Sequence, residues 1–169
     1  MAKDLAPFRP YWFEEPIPPE SIPATADVRS KSPVPIAAGE RYYEIQRFQE
    51  LIAAHAVDYL QPDVSHVGGS AEAKRIAAIA HAQYVPICPH NPLGPIANAM
   101  TLHVAAATAN FARLETMVSD VSRRSEIVRE HVVIKDGRMI IPTAPGPGID
   151  IDEEACAAHP PGRYALLTL

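Results

Sequence analysis

The sequence lacks several features that would assign it to a broad class at once. No apolar run approaches the length of a membrane span, and the N-terminus has no apolar core of the kind a secretory signal needs. A net charge of −5 leaves no basic excess, which argues against a nucleic-acid partner. The only two cysteines, Cys88 and Cys156, lie far apart without metal-ligand spacing, so we expect reduced thiols and a cytoplasmic location.

What is present fits one globular domain. The length of 169 residues and the hydrophobic content of 47% allow a sizeable core. Proline is abundant, with 18 residues, but they are spread among loops and strand ends instead of forming one tract. They therefore indicate the boundaries of a fold and not a disordered segment.

Residues 84–96 are the stretch around which the chain is organised. A short apolar run, Val85 to Cys88, is followed at once by His90, by Pro and Gly turn residues, and then by a helical pattern from Ile96. This order is typical of a buried strand that ends at a polar tip and passes through a tight loop into a helix. A histidine at such a tip can face a ligand, or it can simply cap the next helix.

Similar units recur along the chain. Apolar strands are predicted at 11–16, 34–40, 57–63, 85–88 and 111–115. Helices are predicted at 43–54, 71–82, with Ser70 as the N-cap candidate, and about 96–107; residues 18–21 carry helix-start chemistry. After Glu115 the alternation stops: 118–129 suggests a loop with a turn of helix, 132–141 a hairpin turning at Asp136-Gly137, 142–148 an extended connector, and 152–158 a short helix.

Strands that alternate with helices through short loops predict a parallel α/β sheet, either doubly wound or closed as a (β/α)8 barrel. No Gly-rich phosphate loop follows the first strand, which weakens the doubly wound nucleotide-binding alternative. A barrel places its chemistry at the carboxyl ends of several strands. All five predicted strands end in ionisable side chains, which favours the barrel: Glu14/Glu15, Glu40, Asp63, His90 and Glu115.

These strand ends suggest two kinds of chemistry. Glu14 and Glu40 offer the oxygen ligands that Mg²⁺ takes, although carboxylates can equally pair with lysine or arginine, the interpretation favoured for Glu15. Asp63 beside His90 would fix the imidazole tautomer and raise its pKa, which makes a general acid/base unit. Glu115 could exchange a hydrogen bond with a substrate oxygen. The metal ion and the acid/base histidine would then lie on opposite sides of a carboxylate substrate.

Several separated motifs resemble one known family. They are Trp12-Phe-Glu-Glu-Pro16, Ala38-Gly-Glu-Arg41, Leu60-Gln-Pro-Asp63, Gly68-Gly69 and Pro89-His-Asn-Pro-Leu-Gly-Pro95. The pattern is similar to the enolase superfamily, mandelate racemase/muconate lactonizing enzyme family, and within it to the galactonate-dehydratase-like subgroup, from about residue 8 to 155. The resemblance implies Glu14 and Glu40 as Mg²⁺ ligands, Asp63 and His90 as the dyad on the sixth and seventh barrel strands, and Glu115 as the eighth-strand carboxylate that contacts substrate.

The implied fold is the C-terminal part, about strands 4–8, of a (β/α)8 TIM barrel, followed by a C-terminal hairpin and tail. Residues 1–125 would form the partial barrel, and residues 126–169 would pack on a capping domain that family members carry before the barrel. A complete barrel needs about 250 residues. We therefore expect a fragment whose open strand edges pair with another copy, giving a homo-oligomer, or with a separate N-terminal half.

The implied activity is Mg²⁺-dependent dehydration of a sugar acid, an aldonate or aldarate, to a 2-keto-3-deoxy acid via an enediolate, with His90 as general acid for the departing hydroxyl. Two alternatives stay open: a racemase or epimerase of the same family, and a truncated, inactive remnant that folds or oligomerises. Among other residues, His66 is expected to cap a loop more than to touch substrate. Arg41 is expected to pair with a carboxylate or with substrate, and Cys88 to be inert.

Overall fold

The computed structural model describes residues 1–117 and 123–159. Its helices are α1 (Ala2–Leu5), continued by a 3-10 turn (Ala6–Phe8), α2 (Ile22–Lys31), α3 (Ile45–Ala53), α4 (Ser70–His81), α5 (Pro95–Ala106), α6 (Arg123–Glu126) and α7 (Glu153–Ala158). Its strands are β1 (Phe13–Glu14), β2 (Ile36–Ala38), β3 (Tyr59–Leu60), β4 (Ile134–Lys135) and β5 (Arg138–Met139). Within these described residues no helix is long and apolar enough to cross a membrane.

The first three strands form a parallel sheet in chain order, β1-β2-β3. Glu14 pairs with Ala37, and Ala38 pairs with Leu60. The parallel pairing continues through single bridges from Leu60 to Ile87 and from Ile87 to Phe111. Five neighbouring chain segments therefore run in one direction, and their carboxyl ends lie at one edge, as the barrel interpretation requires.

Helices cover one face of this sheet and bury its core. On α3 the apolar side chains recur at helical spacing, and Phe48, Leu51 and Ile52 are buried. They join one cluster with Leu60 of β3 and Ile76 of α4. Because the sheet is covered by helices that follow each strand, the strand ends are the part of each unit left free to carry polar side chains.

Three local predictions differ from the structure. The strands are two or three residues long, or single bridges, because the ladder hydrogen bonds end before the apolar runs do. Ser70 is not the N-cap of α4: Gly69 holds that position with φ of 102°, a conformation that glycine adopts without strain. The connector at 142–148 is not extended throughout, because a turn places the Gly148 amide 3.3 Å from the Pro145 carbonyl.

The region after the sheet forms a hairpin and a short helix, as predicted. Asp136 and Gly137 both have positive φ, which the two-residue turn between β4 and β5 demands. Asp152 caps α7 by accepting a hydrogen bond from the Ala155 amide at 2.9 Å. Val128 and Ile149 pack against Ala99 of α5, so the tail is attached to the sheet's helical layer. Part of the predicted loop, 118–122, and the end of the tail, 160–169, lie outside the described residues.

We predict that Gly39→Ala destabilises the fold by about 3 kcal/mol or more, because core overpacking typically costs 1–3 kcal/mol and this clash is with main chain. A Cβ at Gly39 would lie 2.5 Å from the Gln61 carbonyl carbon and 2.6 Å from its nitrogen. Urea unfolding would measure the loss. Gly94→Ala is the matched control, since nothing lies within 4 Å of a Cβ there, and its cost at a helix N-cap stays below about 1 kcal/mol. Equal unfolding midpoints for the two variants would contradict the prediction.

Candidate active site

The five predicted site residues lie immediately beyond the carboxyl ends of the five parallel segments. Glu14 ends β1, and the other four follow their strand or bridge residue within four positions: Glu40, Asp63, His90 and Glu115. Contacts and electrostatic coupling connect all five side chains. Parallel pairing thus brings together residues that are 101 positions apart in the chain (115 − 14).

Asp63 and His90 form the expected hydrogen-bonded pair. The Nδ1 atom of His90 lies 2.7 Å from Oδ2 of Asp63, and the other Asp63 oxygen accepts from the Ser65 amide at 2.7 Å. Burial raises the pKa of the Asp63 carboxyl, but the hydrogen bonds from His90 and Ser65 outweigh it, so the net pKa lies below its usual value. An ionised Asp63 can only accept, so Nδ1 of His90 carries the proton and donates it.

The second nitrogen of His90 faces a metal-ligand candidate. Its Nε2 atom lies 3.1 Å from Oε2 of Glu40. Burial lowers the pKa of His90, whereas the hydrogen bond to Asp63 and the charges of Glu40 and Glu115 raise it, and the net pKa lies above its usual value. Sequence reasoning placed the metal and the histidine on opposite sides of a substrate. The structure instead places Glu40 in direct contact with His90.

Glu14 and Glu40 lie next to each other at the first two strand ends. The Oε2 atom of Glu14 accepts hydrogen bonds from Nε1 of Trp12 and Nε2 of Gln61, both at 2.9 Å. Burial raises the pKa of Glu40, the charge of His90 lowers it, and the nearby carboxylates Glu15 and Glu14 raise it further. Two adjacent carboxylates that share a partly buried position are stabilised by a proton or a cation between them.

Glu115 is anchored through Asn91, the residue after His90. The backbone amide of Asn91 donates to Oε2 of Glu115 at 3.3 Å. The side-chain amide of Asn91 donates to the backbone carbonyl of Glu115 at 3.1 Å. Burial raises the pKa of Glu115, the Asn91 hydrogen bond lowers it, and the charge of Glu14 raises it again, for a net increase. Glu115 is thus a carboxyl group at this edge that can hold a proton or exchange one with a bound oxygen.

Other ionisable residues here have structural partners. Glu15 forms an ion pair with Arg41, which is the interpretation favoured for Glu15 from sequence and one of the two left open for Arg41. His66 caps a loop: its Nδ1 atom lies 2.8 Å from the Glu40 carbonyl. Its ring also lies 6.0 Å from the His90 ring, centre to centre, which brings His66 to the site itself.

The donor set fits a hard divalent cation. Glu14 and Glu40 supply oxygen atoms, and Mg²⁺ is usually held by one or two carboxylates with waters and substrate. Besides these, a buried Oε1 atom of Gln61 has no hydrogen-bond partner, which leaves an acceptor beside Glu14 unsatisfied. Trp12, Gln61 and Asn91 were not predicted to take part in this network. All three had a signal in the sequence, since each lies inside one of the motifs that carry the resemblance.

Comparisons with known proteins agree with this geometry. Residues 1–155 match the family model described as Enolase C-terminal domain-like. The chain is 38% identical over 159 residues to the D-galactonate dehydratase of Ralstonia pickettii strain 12J, covering 90% of this chain and 42% of that protein. It is 35% identical over 159 residues to the D-xylonate dehydratase of Haloferax volcanii, covering 94% and 39% respectively.

A solved structure from Burkholderia xenovorans strain LB400, assigned as an L-alanine-DL-glutamate epimerase and bound to magnesium and fumarate, superimposes with a TM-score of 0.88. It is 34% identical, and the match covers 95% of this chain and 39% of that one. The chain thus spans about two-fifths of the length of the curated relatives that it matches, 42% and 39% in the two cases above.

We predict that the two thiols differ in reactivity by on the order of 100-fold at about pH 8, because only the thiolate reacts. Burial raises the pKa of Cys88 to about 11, with Arg113 partly offsetting it, so its thiolate is scarce until the pH approaches that value. Cys156 is only partly buried. A colorimetric thiol reagent should therefore label one thiol quickly and the second about 100-fold more slowly in the folded protein. Cys156→Ser would remove the fast phase, and fast labelling that persists in this variant would contradict the assignment.

Proposed function

Because this chain belongs to the Enolase C-terminal domain-like family, we propose that it contributes the C-terminal part of the (β/α)8 barrel of a sugar-acid dehydratase. The reaction would remove water from an aldonate or aldarate of the galactonate type and yield a 2-keto-3-deoxy acid. The observation that carries the proposal is the chain of contacts Asp63–His90–Glu40 at the mouth of the sheet. The names of the galactonate and xylonate dehydratases support this substrate class.

Glu14 and Glu40 would hold a Mg²⁺ ion, as the adjacent carboxylates and the magnesium in the Burkholderia xenovorans structure support. When bound, the ion would supply positive charge that stabilises the carboxylate end of the substrate as negative charge develops there. Trp12 and Gln61 would position Glu14 through their two hydrogen bonds, which leaves the second oxygen of Glu14 for the ion.

His90 would act as the general acid. Asp63 accepts a hydrogen bond from Nδ1–H and keeps the ring oriented. A proton on Nε2 can then pass to the departing β-hydroxyl group. The hydroxyl then leaves as water with the electrons of the C–O bond. Glu115, held by Asn91, would contact a substrate oxygen. The base that takes the α-proton is expected from the third barrel strand, as the resemblance implies.

The partners follow from the open fold. The described part of residues 1–125 would form a partial barrel whose edge segment carries Phe111, and residues 126–169 would dock on a capping domain. Exposed apolar side chains on the hairpin, Val133, Ile134 and Ile140, support such a contact. A second copy of this chain or a separate N-terminal half would pair with the open strand edges. The substrate would be a small-molecule acid. A cytoplasmic location stays a prediction.

A racemase or epimerase activity is the second candidate, since the Burkholderia xenovorans structure was assigned to that class. Such a reaction needs a base on each face of the substrate. His90 would supply one, and the opposite base would come from the N-terminal half of the barrel. A folded but inactive remnant is the third alternative, from a different class.

We expect the 169-residue chain to bind Mg²⁺ weakly and Glu40→Gln to lower this affinity by at least about 10-fold. Isothermal calorimetry would measure both. Because burial and like charges raise the pKa of Glu40, replacing it with a neutral amide should leave the thermal midpoint without metal unchanged or raised. A variant that loses both stability and binding would therefore not support the assignment. Glu44→Gln, an exposed carboxylate four residues away, is the matched control and should bind Mg²⁺ normally.

Incubation of the protein with a panel of aldonic and aldaric acids in the presence of Mg²⁺ would test the reaction. The dehydratase proposal expects a 2-keto-3-deoxy acid, detected as its semicarbazone, and a loss of about 10²–10⁴-fold in rate for His90→Asn. His81→Asn, on the exposed end of α4, should leave the rate unchanged. An inverted stereocentre without keto acid would instead indicate the racemase. No turnover even when the N-terminal half of the barrel is supplied to a chain that binds Mg²⁺ would indicate the inactive remnant.

A further inference from the structure

Two histidines at the mouth are fixed in the same tautomer by separate acceptors. His90 places Nδ1 2.7 Å from the Asp63 carboxylate, and His66 places Nδ1 2.8 Å from the Glu40 carbonyl. Both acceptors can only accept, so both Nδ1 atoms donate. In the neutral rings the lone pair is consequently on Nε2, and this arrangement is the one that zinc-ligating histidines almost always show.

A third ligand faces one of these nitrogens. Nε2 of His90 and Oε2 of Glu40 are 3.1 Å apart. Two ligands on a tetrahedral Zn²⁺ with bonds of about 2.0–2.1 Å are separated by about 3.3 Å. The observed separation therefore matches that of two ligands on one ion, with only a small adjustment.

His66 lies close to His90. Its ring centre is 6.0 Å from that of His90, and the centre of the Tyr43 ring is 5.8 Å from that of His66. Asp63, His66 and His90 each offer a ligand atom within 4.8 Å of the others. Both Asp63 oxygens are already engaged, by His90 and by the Ser65 amide, so Asp63 is the carboxylate that supports a ligand and not the ligand itself.

We propose that His66, His90 and Glu40 form a tetrahedral site for a borderline-soft divalent ion, Zn²⁺ or Co²⁺, with Asp63 as the supporting carboxylate of His90. Imidazole nitrogen suits these ions, whereas Mg²⁺ takes oxygen. The site uses Glu40 and the Nε2 atom assigned above to proton transfer, so zinc binding excludes both Mg²⁺ at Glu40 and acid catalysis by His90. The inference rests on the histidine geometry and goes beyond the proposed dehydration.

Titration of the chain with ZnCl₂ against a competing chelator tests the site. The Cys156→Ser background is used throughout, because a partly exposed thiol is a competing zinc ligand. We expect one zinc ion per chain, and a loss of affinity in His66→Ala and His90→Ala larger than the about 10–100-fold expected for the supporting change Asp63→Asn. His81→Ala, an exposed histidine on α4, should bind zinc like the parent.

Cobalt provides a second readout that does not depend on activity. Four-coordinate Co²⁺ absorbs strongly in the visible region, so an intense band that is absent from His66→Ala and His90→Ala supports the site. A weak octahedral spectrum, or zinc affinity unchanged in both variants, would overturn it.

The variants also separate this site from the magnesium proposal. His66→Ala should abolish zinc binding and leave Mg²⁺ binding intact, whereas Glu40→Gln should weaken both. Failure to bind Mg²⁺ would leave the zinc result unaffected, and loss of both ions in His66→Ala would contradict two separate ligand sets.

Discussion

The close approach of Gly39 to Gln61 is the constraint on which the site depends. The main chain after β2 lies directly against the main chain after β3, at distances that leave no room for a Cβ at Gly39. The Gln61 amide donates to Ala38, and its side chain donates to Glu14. One backbone contact therefore fixes three strand ends at once, and it brings Glu40, the residue after Gly39, within reach of His90.

Electrostatics then divide the acidic groups at this edge into two kinds. Asp63 is held ionised because His90 and the Ser65 amide donate to it, whereas burial and other nearby carboxylates raise the pKa of Glu40 and of Glu115. Environments that separate the pKa values of neighbouring carboxyl groups are typical of acid/base sites. Here the separation favours the ionised form of Asp63, which orients the histidine. Glu40 and Glu115, whose pKa values are raised, can instead change protonation state when a proton, a cation or a substrate binds.

Much of this site could be predicted from the sequence because strand ends are local features. An apolar run that stops at Glu14, Glu40 or His90 is visible in the sequence. Parallel topology then brings the carboxyl ends of these strands to one edge of the sheet. Strand lengths were overestimated, since hydrophobicity continues past the last ladder bond. The N-cap of α4 was misplaced by one residue because Gly69, with φ of 102°, makes the turn that Ser70 was expected to make. The contact of Glu40 with His90 was missed, because it depends on how far one main chain approaches another.

Glu40 connects two different coordination environments. On one side it shares an all-oxygen neighbourhood with Glu14, and on the other it faces Nε2 of His90 near His66. Divalent affinities generally favour zinc over magnesium at nitrogen-containing sites, so proteins select the weaker-binding ion through geometry, ligand type and metal availability. In the two sites proposed above, Glu40 is the shared carboxylate, so this selection would be made at one side chain. The ion bound by Glu40 would then decide whether His90 keeps a nitrogen free for proton transfer.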